Sequence, residues 1–328
     1  MQHEEKVKIV STFLKNRKSN TQLEYKKKEV AHQVPKKDNL HLDKLEISNL
    51  NEIIKIDPKK KFCIAEPGVP ISKVVIEALK YNLTPVVVPE LKTITIGGAI
   101  VGCSIESQSY KYGGFHDNCL EYEFVNHKGK VIVCSPTKQK ELFHMIHGTF
   151  GTLGLLTKIK FRLVEIKKYV HVKYEEYETV EKYQKAIKKY YKTQEYTFID
   201  GLILTNKRFV LALGNSVDDC PYTNSYEKKI FYKSVYKKKE DYMTLYDYYY
   251  RYDADCHWST RKYGLMNPII RAIFGRFFLG STNLLKMGQK MNSLFNIKKP
   301  EIIVDLFLPF DRFIKFFKEF DRKYNYYP

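Results

Sequence analysis

Glycine is sparse in this chain, 16 in 328 residues, yet the stretch 89–115 (PELKTITIGGAIVGCSIESQSYKYGGF) holds Gly97, Gly98, Gly102, Gly113 and Gly114. Pro89-Glu90-Leu91 closes a strand-like run over 84–88, and Thr95-Ile96-Gly97-Gly98 reads as a tight turn. Ala99, Ile100 and Val101 are small and apolar enough to pack closely before Gly102 breaks the run. A second polar loop follows, with Ser104, Glu106, Ser107, Ser109, Tyr112 and Gly113. Backbone without Cβ atoms can approach an anion closely, and a phosphate or pyrophosphate is the obvious anion. A pair of glycine turns that bind nothing fits the same residues. Neither the phosphate loop ending in Lys-Ser/Thr nor the GxGxxG fingerprint is present.

The chain is long enough for one large or two modest cores. No apolar run reaches the roughly 18 residues of a membrane span. The charged start MQHEEKVKIV is no secretory signal. Cys63, Cys103, Cys119, Cys134, Cys220 and Cys256 are scattered without CxxC pairs, so free thiols in a reducing compartment are expected, with no metal site. The formal net charge is +19, from 56 Lys and Arg against 37 Asp and Glu. Compositional bias toward Lys and Tyr accounts for such a surplus. Attraction to an anionic membrane surface ranks second, and no nucleic-acid partner is expected. The location read from these features is intracellular, either cytoplasmic or peripheral at a membrane.

Taken in order, 3–18 carries Val7, Val10, Phe13 and Leu14 at helical spacing. Residues 19–45 are polar and basic, and no glycine precedes Gly68. Two strands, 50–56 and 61–66, flank the turn Asp57-Pro58-Lys59-Lys60. A helix over 71–81 leads to the strand 84–88 and the glycine stretch. A hairpin is predicted over 119–126 and 130–134, a short helix over 141–147, and a strand over 155–163 after the loop GTFGTLG at 148–154. From about Val164 the character changes to Lys, Tyr and Glu. A strand over 170–177, a helix over 179–191 and a hairpin from 198–204 and 209–213 make a second, α+β domain. Ile269, Ile270, Ile273, Phe274, Phe277 and Phe278 read as core, with a membrane-facing patch as the alternative.

The order of residues in the glycine stretch resembles the flavin-binding domain of the vanillyl-alcohol oxidase and p-cresol methylhydroxylase superfamily. Within it, the chain is most similar to the delta-24-sterol reductase (24-dehydrocholesterol reductase, diminuto/seladin) family. The resemblance rests on Pro89, Glu90, Leu91, Thr95, Gly97, Gly98, Gly102, Ile105, Glu106, Ser107, Ser109, Tyr112 and Gly113, and on Gly151, Thr152, Leu153 and Gly154. Ser104 stands where the family usually has glycine. The fold implied is α+β: a two-subdomain PCMH-type FAD-binding domain over 1–165, then an α+β substrate or cap domain over 166–328, incomplete relative to the family. Tyr248, Tyr249, Arg251 and Trp258 fit a second family segment, whereas Tyr250, Tyr252, Ala254 and Ser259 replace its two histidines, an arginine and a glutamate.

What the resemblance implies is an FAD-dependent oxidoreductase that reduces a sterol side-chain double bond by flavin hydride transfer, with NADPH as electron donor. The cofactor-binding residues implied are Thr95, Ile96, Gly97, Gly98, Ala99, Gly102, Ser104, Ile105, Glu106, Ser107, Gly151, Thr152 and Gly154. The pyrophosphate is expected on the backbone N–H groups of 95–98. Ala31 and His32 stand near the family's first flavin-contacting loop. Tyr249, Arg251 and His257 are the candidate catalytic groups, as donors of a proton opposite the hydride. Glu106 is expected to orient a loop as a hydrogen-bond acceptor, and His116 either approaches the cofactor or sits at the surface. The partners implied are a sterol or other hydrophobic alkene and, by peripheral contact, an anionic membrane. An inactive flavin-domain relic and a basic membrane-binding protein are the alternatives.

Overall fold

The computed structural model describes residues 1–17, 22–26, 42–254 and 306–325, together with 267, 269, 270, 273, 280, 282, 283 and 327. The chain divides into two compact units, Met1–Ile166 with Ser281–Asn296, and Lys167–Gly280 with Ile297–Pro328. Helices and antiparallel sheets mix in the α+β manner the sequence predicts.

In the first unit, helix α1 (His3–Asn16) buries Val7, Val10 and Leu14 against Leu45, Leu50, Val125 and Leu155. Its other anchor is ionic. Lys6 is buried and places Nζ 2.9 Å from Oε2 of the fully buried Glu66. His3 reaches Glu66 with Nδ1 at 2.8 Å and Glu123 with Nε2 at 2.9 Å. A buried carboxylate survives only when so partnered. Strands β1 (Gln22–Lys26) and β2 (Leu42–Glu46) pair in parallel. Strands β3 (Ile53–Asp57) and β4 (Phe62–Ala65) form the predicted hairpin, with Lys60 N–H donating to Asp57 Oδ1 at 2.9 Å in the turn. Helix α2 (Ile71–Leu79) turns Ile71, Val74, Val75 and Ala78 inward, and β5 (Leu83–Pro85) follows. Helix α3 (Ile96–Val101) and the single turn α4 (Ser109–Tyr112) occupy the glycine stretch. Then come β6 (Cys119–Asn126), β7 (Val131–Cys134), helix α5 (Lys140–Met145) and the long β8 (Gly154–Glu165). The sheet runs β3-β4-β8-β6-β7, antiparallel throughout, with β5 also on β8.

Helix α3 corrects the tight turn expected at 95–98. Each glycine costs a helix about 1 kcal/mol relative to alanine. Ile96, Ala99 and Ile100 are nonetheless buried on one face, and fully burying each isoleucine contributes about 1.5–3 kcal/mol. Thr95 caps the start, its Oγ1 accepting from Gly98 N–H at 3.2 Å. Burial and the cap outweigh the glycines.

The second unit is a four-stranded antiparallel sheet, β9 (Tyr169–Tyr177), β10 (Phe198–Thr205), β11 (Arg208–Val217) and β12 (Glu240–Thr244), in the order β10-β11-β9-β12. Helices α6 (Val180–Thr193) and α9 (Phe313–Tyr324) pack Val180, Tyr183, Ala186, Tyr190 and Phe317 on Phe209, Leu211 and Leu213. Helices α7 (Phe231–Val235) and α8 (Leu245–Tyr249) belong to the same unit. Ile269 and Ile273 are exposed, so the core expected of them is not where they lie. Phe274, Phe277 and Phe278 lie outside the described residues.

Candidate functional site

Two glycine-bearing segments meet in the first unit. The turn after α3 runs through Gly102 and Cys103, and Phe150 N–H donates to Val101 O at 3.2 Å from the loop 148–154. A Cβ built on Gly148 would touch Cys103 Sγ at 3.4 Å. Gly148 and Gly151 have φ of +69° and +82°, the left-handed region where glycine is favoured. Thr152 Oγ1 donates to Thr149 O at 2.9 Å and closes the loop. Gly154 starts β8, where a Cβ would collide with the Val125 carbonyl.

Within the glycine stretch, Gly97 has a packing duty. A Cβ there would lie 2.8 Å from Pro67 Cβ and 3.1 Å from Pro67 O. Gly98 and Gly102, one turn apart, are exposed. Helix α3 thus presents bare backbone to solvent, and Ile105 in the loop after it and Phe150, whose N–H bonds Val101 O, are exposed apolar residues. Ser104 N–H donates to Ala99 O at 2.9 Å, and Ser104 O accepts from Phe115 N–H at 2.9 Å. Glu106 Oε1 accepts from Glu90 N–H at 3.1 Å, the loop-orienting role expected of it. Ser107 follows Glu106 and is half-buried.

The amides expected to hold a pyrophosphate are largely engaged within the protein. Ile96 N–H donates to Val69 O at 2.9 Å and Gly97 N–H to Pro67 O at 2.8 Å. Gly98 N–H is taken by the Thr95 cap. Ala99 N–H donates to Thr95 O at 2.9 Å. Helix α3 therefore offers close approach of a group to its backbone, and not the Ile96, Gly97 and Gly98 donors of the expected 95–98 set. The first N–H groups of a helix have no partner within it, and here the carbonyls of Pro67 and Val69 and the Thr95 side chain take them.

A group of rings joins the two segments. His116 and His147 have centroids 4.8 Å apart, and Tyr122 Oη lies 3.0 Å from His147 Nε2. Burial, then the neighbouring His116 and His144, lowers the pKa of His147 to about 4, so the imidazole is neutral at neutral pH. His116 Nδ1 is buried without a hydrogen-bond partner, and so is Gln108 Oε1. His147, Tyr122 and Gln108 carried no spacing that marks them in the sequence. They come together only through β6, α5 and the loops between. Cys63, Cys103, Cys119, Cys134 and Cys220 are free thiols, and burial pushes Cys63 and Cys119 up to about 12. No group of residues suited to a metal ion occurs among the described residues.

Bare backbone at Gly98 and Gly102 leaves room for a flat group against α3. Which residues of 27–41 would add to the site, including Ala31 and His32, lies outside the described residues.

In the second unit, the described candidate catalytic residues Tyr249 and Arg251 are interior. Tyr249 on α8 is buried. Arg251 is only 3% exposed and donates to Tyr248 O at 2.6 Å and to Asp200 Oδ2 at 2.7 Å. Its guanidinium lies 4.0 Å from the Tyr248 ring centroid, 4.7 Å from Tyr252 and 5.2 Å from Phe231. Such stacking and pairing of an arginine hold a core together. His257 and Trp258 lie outside the described residues.

Residues 39–135 match the family described as FAD binding domain, and the chain carries that domain. Over most of its length it is similar to the Delta(24)-sterol reductase of Mus musculus, 29% identical over 85% of this chain and 57% of the mouse protein. The Delta(24)-sterol reductase homolog of Caenorhabditis elegans is 26% identical over 87% of this chain and 59% of its own length. Cytokinin dehydrogenase 3 of rice is 29% identical over 48% of this chain and 31% of its own length. The chain spans about 57% of the length of the first of these relatives. The resemblance to PCMH-type FAD-binding proteins is borne out.

Proposed function

We propose that this chain works as an FAD-dependent oxidoreductase that reduces a sterol side-chain double bond with electrons from NADPH. The observation that carries the reading is the meeting of the α3 segment and the loop 148–154 beside bare backbone at Gly98 and Gly102, inside a chain that carries an FAD binding domain. The relatives over most of the chain are sterol reductases, which supports the substrate class.

Bound FAD supplies two-electron chemistry toward a carbon–carbon double bond. The chain's own residues then bind and orient. Gly98 and Gly102 admit a group against α3, Ile105 and Phe150 exclude water beside it, and Glu106 holds the 89–90 backbone in place. His116 Nδ1 is a buried ring nitrogen without a hydrogen-bond partner, next to a His147 kept neutral by burial. Peripheral contact with an anionic membrane is part of the same proposal, supported by the net charge of +19. No helix among the described residues is long and apolar enough to cross a membrane.

The test is the absorbance spectrum of the purified protein, followed by anaerobic NADPH and then a sterol with a side-chain alkene. Flavin bleached by NADPH and reoxidised by the sterol is the expected result. Bound flavin that NADPH leaves unbleached overturns the nicotinamide and sterol steps. Absence of flavin after incubation with FAD overturns the whole reading. One observation favours an inactive flavin-domain relic as the second reading: the expected catalytic Tyr249 and Arg251 are buried in the second unit.

A further inference from the structure

The second unit carries an apolar surface that its own core does not use. Helix α9 buries Phe317 and packs Phe313 and Ile314 beside it on α6 and β11. A second aromatic row, Phe316, Phe320 and Tyr324, runs along α9 at four-residue spacing, with ring centroids 6.2 and 5.1 Å apart. Phe320 and Tyr324 are exposed. Just before the helix, Leu306-Phe307-Leu308-Pro309-Phe310 is exposed as a run, with Leu306 and Phe307 at 61% and 67%. Gln184 Nε2 donates to Phe310 O at 2.6 Å and fixes this run beside α6.

The charge around these side chains is one-sided. Across α6, α9 and residues 306–312, ten Lys and Arg stand against four Asp and Glu. Glu181, one of the four, is already paired with Lys318 at 2.6 Å. The five lysines of α6 all face solvent. A groove of about 620 Å³ on α9 is lined by Lys315, Lys318 and Arg322 with Asp311, Ile314 and Glu319. Aromatic and leucine side chains beside lysine are the chemistry of a surface that enters the headgroup layer of a bilayer. Exposed Leu306 and Leu308 gain nothing from a nucleic acid, and two copies of so basic a face repel each other.

We propose that residues 306–324, flanked by the lysines of α6, form a docking surface for an anionic phospholipid bilayer. The aromatic row and the 306–310 run enter the interface, and the lysines meet lipid phosphates. This deepens the peripheral-contact part of the proposed function and does not depend on flavin.

The test sediments the full chain with vesicles of phosphatidylcholine alone and of phosphatidylcholine mixed with phosphatidylserine, with flavin content read in the same samples. Binding to the anionic vesicles is expected, weakened by salt, and about tenfold weaker in the double variant Phe307→Ser, Phe320→Ser. Far-UV circular dichroism of the variant is expected to match the parent, since both side chains lie outside the core. Should that variant fail to fold, Lys315→Glu with Arg322→Glu is expected to give the same loss. No binding to anionic vesicles, or binding that both variants retain, overturns the proposal. So does a parent dimer that the Phe307→Ser, Phe320→Ser variant dissociates, which would make a second copy the occupant. Nucleic acid displacing the vesicles from an unchanged variant overturns it as well. A failure of vesicle binding with flavin still bound leaves the flavin reading standing, and the reverse result leaves this one.

Discussion

His147 carries a proton less readily in the folded chain than in water. Its folded pKa, about 4, lies below the ordinary 6.5, so the unfolded chain binds the proton first. Stability is full above about 6.5 and falls as pH drops toward about 4. Thermal melts across that window should show the slope, and His147→Gln should flatten it. Glu66 is fully buried and meets Lys6 and the Glu52 N–H at 2.9 Å and His3 at 2.8 Å. Removing one partner of a buried ion pair costs about 3–5 kcal/mol, so Glu66→Ala should lower the denaturation midpoint steeply. Burial would raise the carboxyl pKa of Glu123, but hydrogen bonds from His3, Lys158 and Thr157 hold it low. None of these contacts is legible in the sequence. His3 and Glu66 are 63 residues apart, and a lone histidine near a charged terminus looks like surface. Glu106 was legible as a hydrogen-bond acceptor that orients a loop, and it accepts from Glu90 N–H.

The elements follow from patterns with a period. Val7, Val10 and Leu14 specify α1, and the alternation in 119–134 specifies the β6–β7 hairpin. Helix α3 is the exception, since two adjacent glycines argue for a turn while a buried face of Ile96, Ala99 and Ile100 decides for helix. Thr95→Ala should cost about 1 kcal/mol by removing the cap, and a shift in thermal midpoint would show it. Gly97→Ala should cost more, about 1–3 kcal/mol, because its Cβ would lie 2.8 Å from the Pro67 ring and 3.1 Å from its carbonyl, and neither yields cheaply. If α3 lines the flavin site, Gly97→Ala also weakens FAD binding, measured by quenching of flavin fluorescence. In the second unit, a Cβ on Gly201 would overlap Tyr183 Oη on α6, a close approach of helix to sheet that strand alternation alone does not reveal.

At the scale of the whole chain, FAD binding is linked to folding. FAD at a hundred times its dissociation constant should stabilise the folded form by about 2.7 kcal/mol, seen as a higher melting midpoint. An unmoved midpoint would mean that the domain holds no FAD. The sequence by itself determined the α+β class, most strands and helices, and the flavin-binding kind. The first two depend on local periodicity and turn chemistry, and the last on the family resemblance carried by residues 89–113 and 151–154. Only the tertiary structure decided which polar groups have partners. It engaged the α3 amides, closed Tyr249 and Arg251 into a core, brought His116 to His147, and left an aromatic row on α9 in solvent. The physical reason is the same in each case. A side chain's partner and its burial are set by residues far along the chain, and no local pattern carries that information.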